Sequence, residues 1–249
     1  MKNLKDNFST QANSYAKFRP HYPDSLYEFI FNLAQNTDAA WDCGTGNGQV
    51  AVKLAEKFKK VYGSDISEQQ LKNAVQKNNI SYIHTRAEQT NLPENSIDLV
   101  TVAQAIHWFD FNAFYKEVTR VAKSNSIIVI WTYKLLNIST EIDLLIEEFY
   151  SKTIGSYWDP ERRYIDEEYK TIPFPFKEIT APSFEITAQW DLRQLIGYLN
   201  TWSSVQKFIK EHKHNPVDLL ESKIHSLWKT GEVKKVSFPL YTRIGRIEK

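Results

Sequence analysis

Apolar positions alternate with polar ones in two registers along this chain, and the change of register marks the elements. Between Asp24 and Ala34, Leu26, Phe29, Ile30 and Leu33 fall at helical spacing behind Pro23, which predicts a helix with one buried face. Ala39 to Cys43 is a short apolar run suited to a strand, and Gln49 to Phe58 returns to helical spacing through Val50, Leu54 and Phe58. Lys60–Asp65 predicts a second strand. Ser67 and Gln70 then have the spacing of a capping box opening a helix to about Gln76. Further strands are predicted at 80–85, 97–103 and 126–132, with a helix at 111–122 before the last of these. Continuous runs such as Ile127-Ile128-Val129-Ile130-Trp131 suit strands covered on both faces, as in a mostly parallel sheet.

After Tyr133 the rhythm changes. Residues 138–154 read as helix, and 158–175 are aromatic, charged and punctuated by proline, which marks an insertion. Alternation at 183–190, helical spacing after Asp191 that continues towards Trp228, and renewed alternation at 233–247 predict two late strands joined by a helical excursion. The expected architecture is α/β, Rossmann-like and doubly wound. Its mostly parallel sheet has seven strands with an antiparallel last strand, and a helical insertion follows strand five. One domain spans 1–249, divided into an N-terminal lid and leading helix (1–37), a core (38–133), the insertion (134–180) and C-terminal strands and helices (181–249).

Composition narrows the function classes. A formal net charge of +1 over 249 residues provides no field to hold a polyanion, so no nucleic-acid partner is expected. The single cysteine excludes an internal disulfide framework and a Cys-based zinc site, and no metal is expected. The first ten residues carry both charge signs without a long apolar run, and nothing approaches a spanning helix, so neither a membrane association nor a signal peptide is expected and a cytoplasmic location is. Lys57, Lys59 and Lys60 read as a solvated helix end. Aromatic residues reach 14%, with seven Trp, more than a plain α/β core needs, and much of the surplus lies after Trp131.

The chemistry concentrates in Asp42-Cys43-Gly44-Thr45-Gly46-Asn47-Gly48 and in Asp65 at the end of the next strand. Alternate glycines after a short strand let the backbone turn sharply and approach a ligand. The spacing differs from the G-x-G-x-x-G of dinucleotide sites. A carboxylate two residues before the first glycine would repel a pyrophosphate and suit a cationic group, which points to S-adenosylmethionine rather than a dinucleotide. Asp65 suits a pair of ribose hydroxyls, the alternative being an anion at a helix start.

With four blocks, Tyr15-Ala-Lys-Phe-Arg-Pro-His-Tyr-Pro23, Asp42–Gly48, Asp65-Ile66-Ser67 and Ala103-Gln-Ala-Ile-His-Trp-Phe-Asp110, the chain resembles the class I S-adenosylmethionine-dependent methyltransferases, and within them the type 11 small-molecule group that includes trans-aconitate methyltransferase-like proteins. Tyr198-Leu-Asn-Thr-Trp-Ser203 adds to the likeness. The resemblance implies a cofactor held by Tyr15, Arg19, Asp42, Gly44, Gly46, Gly48, Asp65, Ile66, Ala87, Glu88 and Gln104. Asp42 would meet the methionine amine, Ala87 and Glu88 the adenine edge, and Gln104 would lie beneath the sulfonium. Arg19, with Tyr15, would clamp the cofactor carboxylate from the lid or else be a surface arginine. His107 is the candidate catalytic base, although with Trp108 it reads better as a wall of the transfer site, because a carboxylate acceptor needs no base. Substrate candidates are His107, Trp108, Trp131, Tyr133, Arg162 and Tyr198, with Tyr157, Trp158, Arg163, Trp190 and Trp202 as further aromatic or basic candidates. The expected product is S-adenosylhomocysteine and the expected partner a small-molecule acceptor, met by a monomer or weak homodimer. A methyltransferase acting on RNA or protein, and a non-catalytic cofactor-binding scaffold, are the rival readings.

Overall fold

In the computed structural model, which describes residues 18–249, the leading helix α1 (Asp24–Leu33) packs Leu26, Tyr27 and Ile30 beneath the sheet. The core then alternates β1 (Ala39–Cys43), α2 (Gln49–Leu54), β2 (Lys60–Asp65), α3 (Glu68–Lys72), β3 (Ile80–His84), β4 (Ile97–Ala103), α4 (Phe111–Val121) and β5 (Ala122–Tyr133). Every residue of β1 is buried, as a central parallel strand requires.

The insertion comprises α5 (Thr140–Glu148), which widens into a π turn over Phe149–Thr153, then short 3-10 turns and α6 (Arg163–Asp166). There follow β6 (Lys177–Glu178), β7 (Phe184–Trp190), α7 (Leu192–Asn200), α8 (Ser203–His212), α9 (Val217–Ile224) and β8 (Lys234–Ile247).

The sheet runs β3-β2-β1-β4-β5-β8-β6, with β7 also paired to β8. The five core strands are parallel, and β8 is antiparallel to β5 through pairs from Ser126 with Ile247 to Tyr133 with Leu240. Along its first half β8 pairs with β7, from Trp190 with Lys234 to Phe184 with Leu240. The doubly wound sheet and its antiparallel final strand are as expected. The eighth strand is the two-residue β6 against Gly245 and Arg246, too short to give an alternation in sequence.

Local chemistry shortens one predicted helix. The segment after β2 is helical only to Lys72: Ser67 Oγ accepts from Gln70 N at 3.3 Å, but the Ser67 N–H that a reciprocal box would use donates to Asp65 Oδ1 at 2.8 Å. The full box forms at Asp191 and Gln194, opening α7. Among the described residues, no helix is long and apolar enough to cross a membrane.

Candidate functional site

The order of the strands reverses between the parallel β1 and β4, and the carboxyl ends of those strands open on a cleft, the position where open α/β sheets hold ligands. At the end of β1, Asp42 Oδ1 accepts from Thr101 Oγ1 at 2.9 Å, while Oδ2 accepts from Thr45 Oγ1 at 2.5 Å and from Ala51 N at 3.1 Å. The carboxylate therefore ties β4, the glycine loop and the start of α2 together. Burial pushes its pKa up to about 6 against the pull of these hydrogen bonds. A carboxylate has about four acceptor positions, so one is left for a donor in the cleft.

Asp65, at the end of β2, uses Oδ2 to accept from Gly46 N at 2.9 Å and Oδ1 to accept from Ser67 N. Its orientation is thus set by backbone on both sides. The loop glycines all have positive φ, for distinct reasons. A Cβ on Gly44 would lie 2.5 Å from the Ala105 Cβ, and one on Gly48 would lie 2.2 Å from the Tyr82 hydroxyl oxygen. A Cβ on Gly46 would meet no atom within 4 Å: it would project into open space. Gly46 is therefore where this loop leaves room for a ligand, and Gly48 serves packing against β3.

Of the expected cofactor residues, Asp42, Gly44, Gly46, Asp65, Ile66, Ala87, Glu88 and Gln104 wall this one cleft. Gly48 is not on its wall, Tyr15 lies outside the described residues, and Arg19 lines a second cavity instead. Glu88 accepts from Asp110 N at 3.0 Å and pairs with Arg86 at 3.3 Å, fixing the rim. Gln104 follows β4 in a left-handed conformation, φ 53°, unusual for a residue with a Cβ. Its Nε2 donates to the Tyr133 carbonyl at 3.1 Å and its Oε1 accepts from Thr132 Oγ1 at 2.6 Å, which hold it there.

The second cavity shares Gln104 and Trp108 with the cleft. Its wall holds the expected His107, Tyr133, Arg162 and Tyr198, and also Trp158 and Trp202. His107 is buried on a 3-10 turn, Ile106–Trp108, with Nδ1 2.8 Å from the Tyr169 hydroxyl. Arg19 donates from Nη1 to the Tyr133 hydroxyl at 2.9 Å, and its guanidinium lies 5.2 Å from the Tyr198 ring. Arg162 stacks 4.6 Å over Trp158 and 5.2 Å over Tyr150, and donates to the Tyr150 hydroxyl at 2.8 Å. Burial raises the Tyr198 hydroxyl above the usual tyrosine range, which keeps it protonated.

Other candidates pack away from both cavities. Trp131 is fully buried in β5 with its ring edge-on to Tyr22 at 5.3 Å, so it is core rather than cavity wall. Trp190 packs against Tyr198 and Phe238, Tyr157 pairs with His212, and Arg163 stacks on its neighbour Tyr164. The sequence reading missed Thr45, Lys134 and Asp159. Thr45 lies inside the glycine motif, and Lys134 directly follows the fifth strand, so position relative to strand ends was the available signal. Asp159 gave none. It is paired with Lys207 at 2.5 Å. Among the described residues no group of three His, Cys, Asp or Glu side chains could hold a metal ion.

Comparison with known proteins agrees with this geometry. Residues 41–130 match the family described as a methyltransferase domain. A Dictyostelium discoideum protein named as a methyltransferase is 38% identical over 251 residues, covering 98% of this chain and 95% of its own. The solved structure of a protein named as a type II methyltransferase from Anaeromyxobacter dehalogenans superposes with a TM-score of 0.86 at 35% identity, covering 93% of this chain and 99% of that one. A Saccharomyces cerevisiae protein named as an S-adenosylmethionine-dependent methyltransferase is 29% identical over 139 residues, 52% of this chain and 47% of its own. With the glycine loop, the Asp42 and Asp65 carboxylates and the cleft at the reversal of strand order in place, the chain belongs to the class I S-adenosylmethionine-dependent methyltransferases.

Proposed function

We propose that this chain transfers the methyl group of S-adenosylmethionine to a small acceptor bearing a carboxylate, forming a methyl ester. The observation that carries the reading is the meeting of two cavities at Gln104 and Trp108, the second of which contains Arg19, Lys134 and Arg162. An aromatic-lined pocket could instead take an ammonium by cation–π attraction. Here guanidinium groups already lie against Trp158 and Tyr198, and the wall's acid, Asp159, is neutralised by Lys207. Three basic side chains, Arg19, Lys134 and Arg162, stand on that wall against the single acid.

The residues present fit the cofactor: Gly46 faces open space, and Asp42 keeps an acceptor position towards the cleft. Asp42 would receive the amino group, Asp65 the ribose hydroxyls, and Ala87 with Glu88 the adenine edge. When bound, the cofactor supplies an electrophilic methyl on a sulfonium. The chain's part is alignment, because holding nucleophile and methyl in line in a desolvated site can lower a barrier by about 7–11 kcal/mol. Gln104, locked between Thr132 and Tyr133, forms the partition across which the groups meet. Arg19 and Arg162 would orient the acid, since a guanidinium matches a carboxylate's two oxygens. His107 would act as wall, its Nδ1 engaged with Tyr169.

The test is a labelled-methyl screen against small acids, alcohols, amines and RNA. Transfer confined to acids supports the reading. Transfer to amines or RNA replaces the acceptor, and cofactor binding without transfer to anything favours a scaffold.

A further inference from the structure

Two consecutive residues with side chains, Glu168 and Tyr169, hold left-handed backbone with φ of 59° and 60°. Neither is glycine, asparagine or aspartate, the types that tolerate this region, so the turn is strained. Such strain persists only where surrounding structure over-determines it, and it clusters at functional sites.

The surroundings here are specific. Tyr169 N donates to the Tyr164 carbonyl at 2.8 Å, and Arg243, reaching across from β8, donates from Nη1 to the Tyr169 carbonyl at 3.3 Å. Arg243 is itself held by Glu178 at 2.6 Å. Both side chains of the strained pair then lead to the second cavity. The fully buried Tyr169 sets its hydroxyl against His107 Nδ1 at 2.8 Å. The Glu168 carboxylate pairs with Lys134 at 3.4 Å and with Lys170 at 2.5 Å. His107 and Lys134 line the cavity, while Glu168 and Tyr169 do not.

We propose that the Glu168–Tyr169 turn is a positioning element for the acceptor cavity, with the Tyr169 hydroxyl fixing the His107 ring and the Glu168 carboxylate fixing the Lys134 ammonium. The backbone strain is retained because relaxing it would move both cavity groups together. The proposal rests on the acceptor reading given above.

Two variants test it. Tyr169→Phe keeps the ring and its packing and removes the hydrogen bond to His107, so KM for the acceptor should rise about two- to tenfold, with S-adenosylmethionine affinity close to wild type and a melting temperature lower by a few degrees. Glu168→Gly relieves strain while removing the Lys134 partner. It should melt at or above the wild-type temperature and still show a raised acceptor KM, whereas a merely structural turn would leave KM unchanged or improved. The probes are aliphatic mono- and dicarboxylates with labelled cofactor, read beside the ¹⁵N resonances of the His107 imidazole. These should shift in Tyr169→Phe, and unshifted resonances or wild-type KM in both variants overturn the proposal. If wild type methylates none of the carboxylates, the acid reading fails on its own, and the His107 resonances still decide whether the turn holds that ring.

Discussion

Replacing Gly46 and Gly48 separately by alanine should divide ligand binding from packing within one loop. Both positions have left-handed backbone, φ 55° and 83°, so each variant bears the cost of placing a Cβ there, about 1–2 kcal/mol. For a chain of this size that is roughly 2–8 °C in melting temperature. The new methyl of Gly48→Ala also meets the Tyr82 hydroxyl oxygen at 2.2 Å and the ring carbon Cζ at 3.0 Å. Tyr82 is not free to give way, because its hydroxyl donates to the Val75 carbonyl at 2.8 Å. Overpacking of this kind adds about 1–3 kcal/mol, a further ~2–12 °C.

Gly46→Ala has no such neighbour, and its methyl would project into the cleft where the proposed function puts the cofactor. The assays are thermal melting and calorimetric titration with S-adenosylmethionine. Gly46→Ala should melt only slightly below wild type while losing about tenfold or more in affinity, equal to ~1.4 kcal/mol. Gly48→Ala should be the less stable protein, and Tyr82→Phe should recover part of its loss. Wild-type affinity in Gly46→Ala, or equal melting of the two variants, would refute the division of labour.

Other predictions follow from the same geometry. Because folding raises Asp42 from about 3.9 to about 6, the native state binds its proton more tightly, and this group's contribution favours folding near pH 4 and is lost as pH rises through 6. Melting curves of wild type and Asp42→Asn should therefore diverge by up to about 3 kcal/mol in the variant's favour between pH 4 and 7; a constant difference would contradict the burial argument. His107→Ala should lower transfer to a carboxylate less than about tenfold, whereas a loss of 10²-fold or more with cofactor affinity intact would identify a general base. Arg162→Lys keeps charge but gives up the stacking over Trp158, and should raise acceptor KM severalfold without changing cofactor affinity.

How much of this was legible in the sequence depends on the range of the interactions. The parallel strands were readable because each is a local apolar run, and the cofactor cleft because Asp42, the glycines and Asp65 sit at strand ends that the fold must bring together. That Arg19 lines the second cavity was not readable, because its position depends on Tyr133 and Tyr198, 114 and 179 residues away. Trp131 and Tyr133 are two residues apart on β5, one in the core and the other at the cavity, and aromatic content alone cannot say where a strand leaves the core. The box at Ser67 failed through competition from Asp65 for the same N–H, a three-residue effect that spacing rules omit. The left-handed turn at Glu168 and Tyr169 closes the end of α6, with Tyr169 N donating to the Tyr164 carbonyl, and neither residue is of a type that signals such a cap in sequence.

The most direct test of the central claim is to incubate the protein with methyl-labelled S-adenosylmethionine and small carboxylic acids, then treat the products with alkali. The account predicts label that leaves as volatile methanol, as a methyl ester must release it. Label retained on nitrogen or in RNA, or no transfer beyond the cofactor, would contradict it.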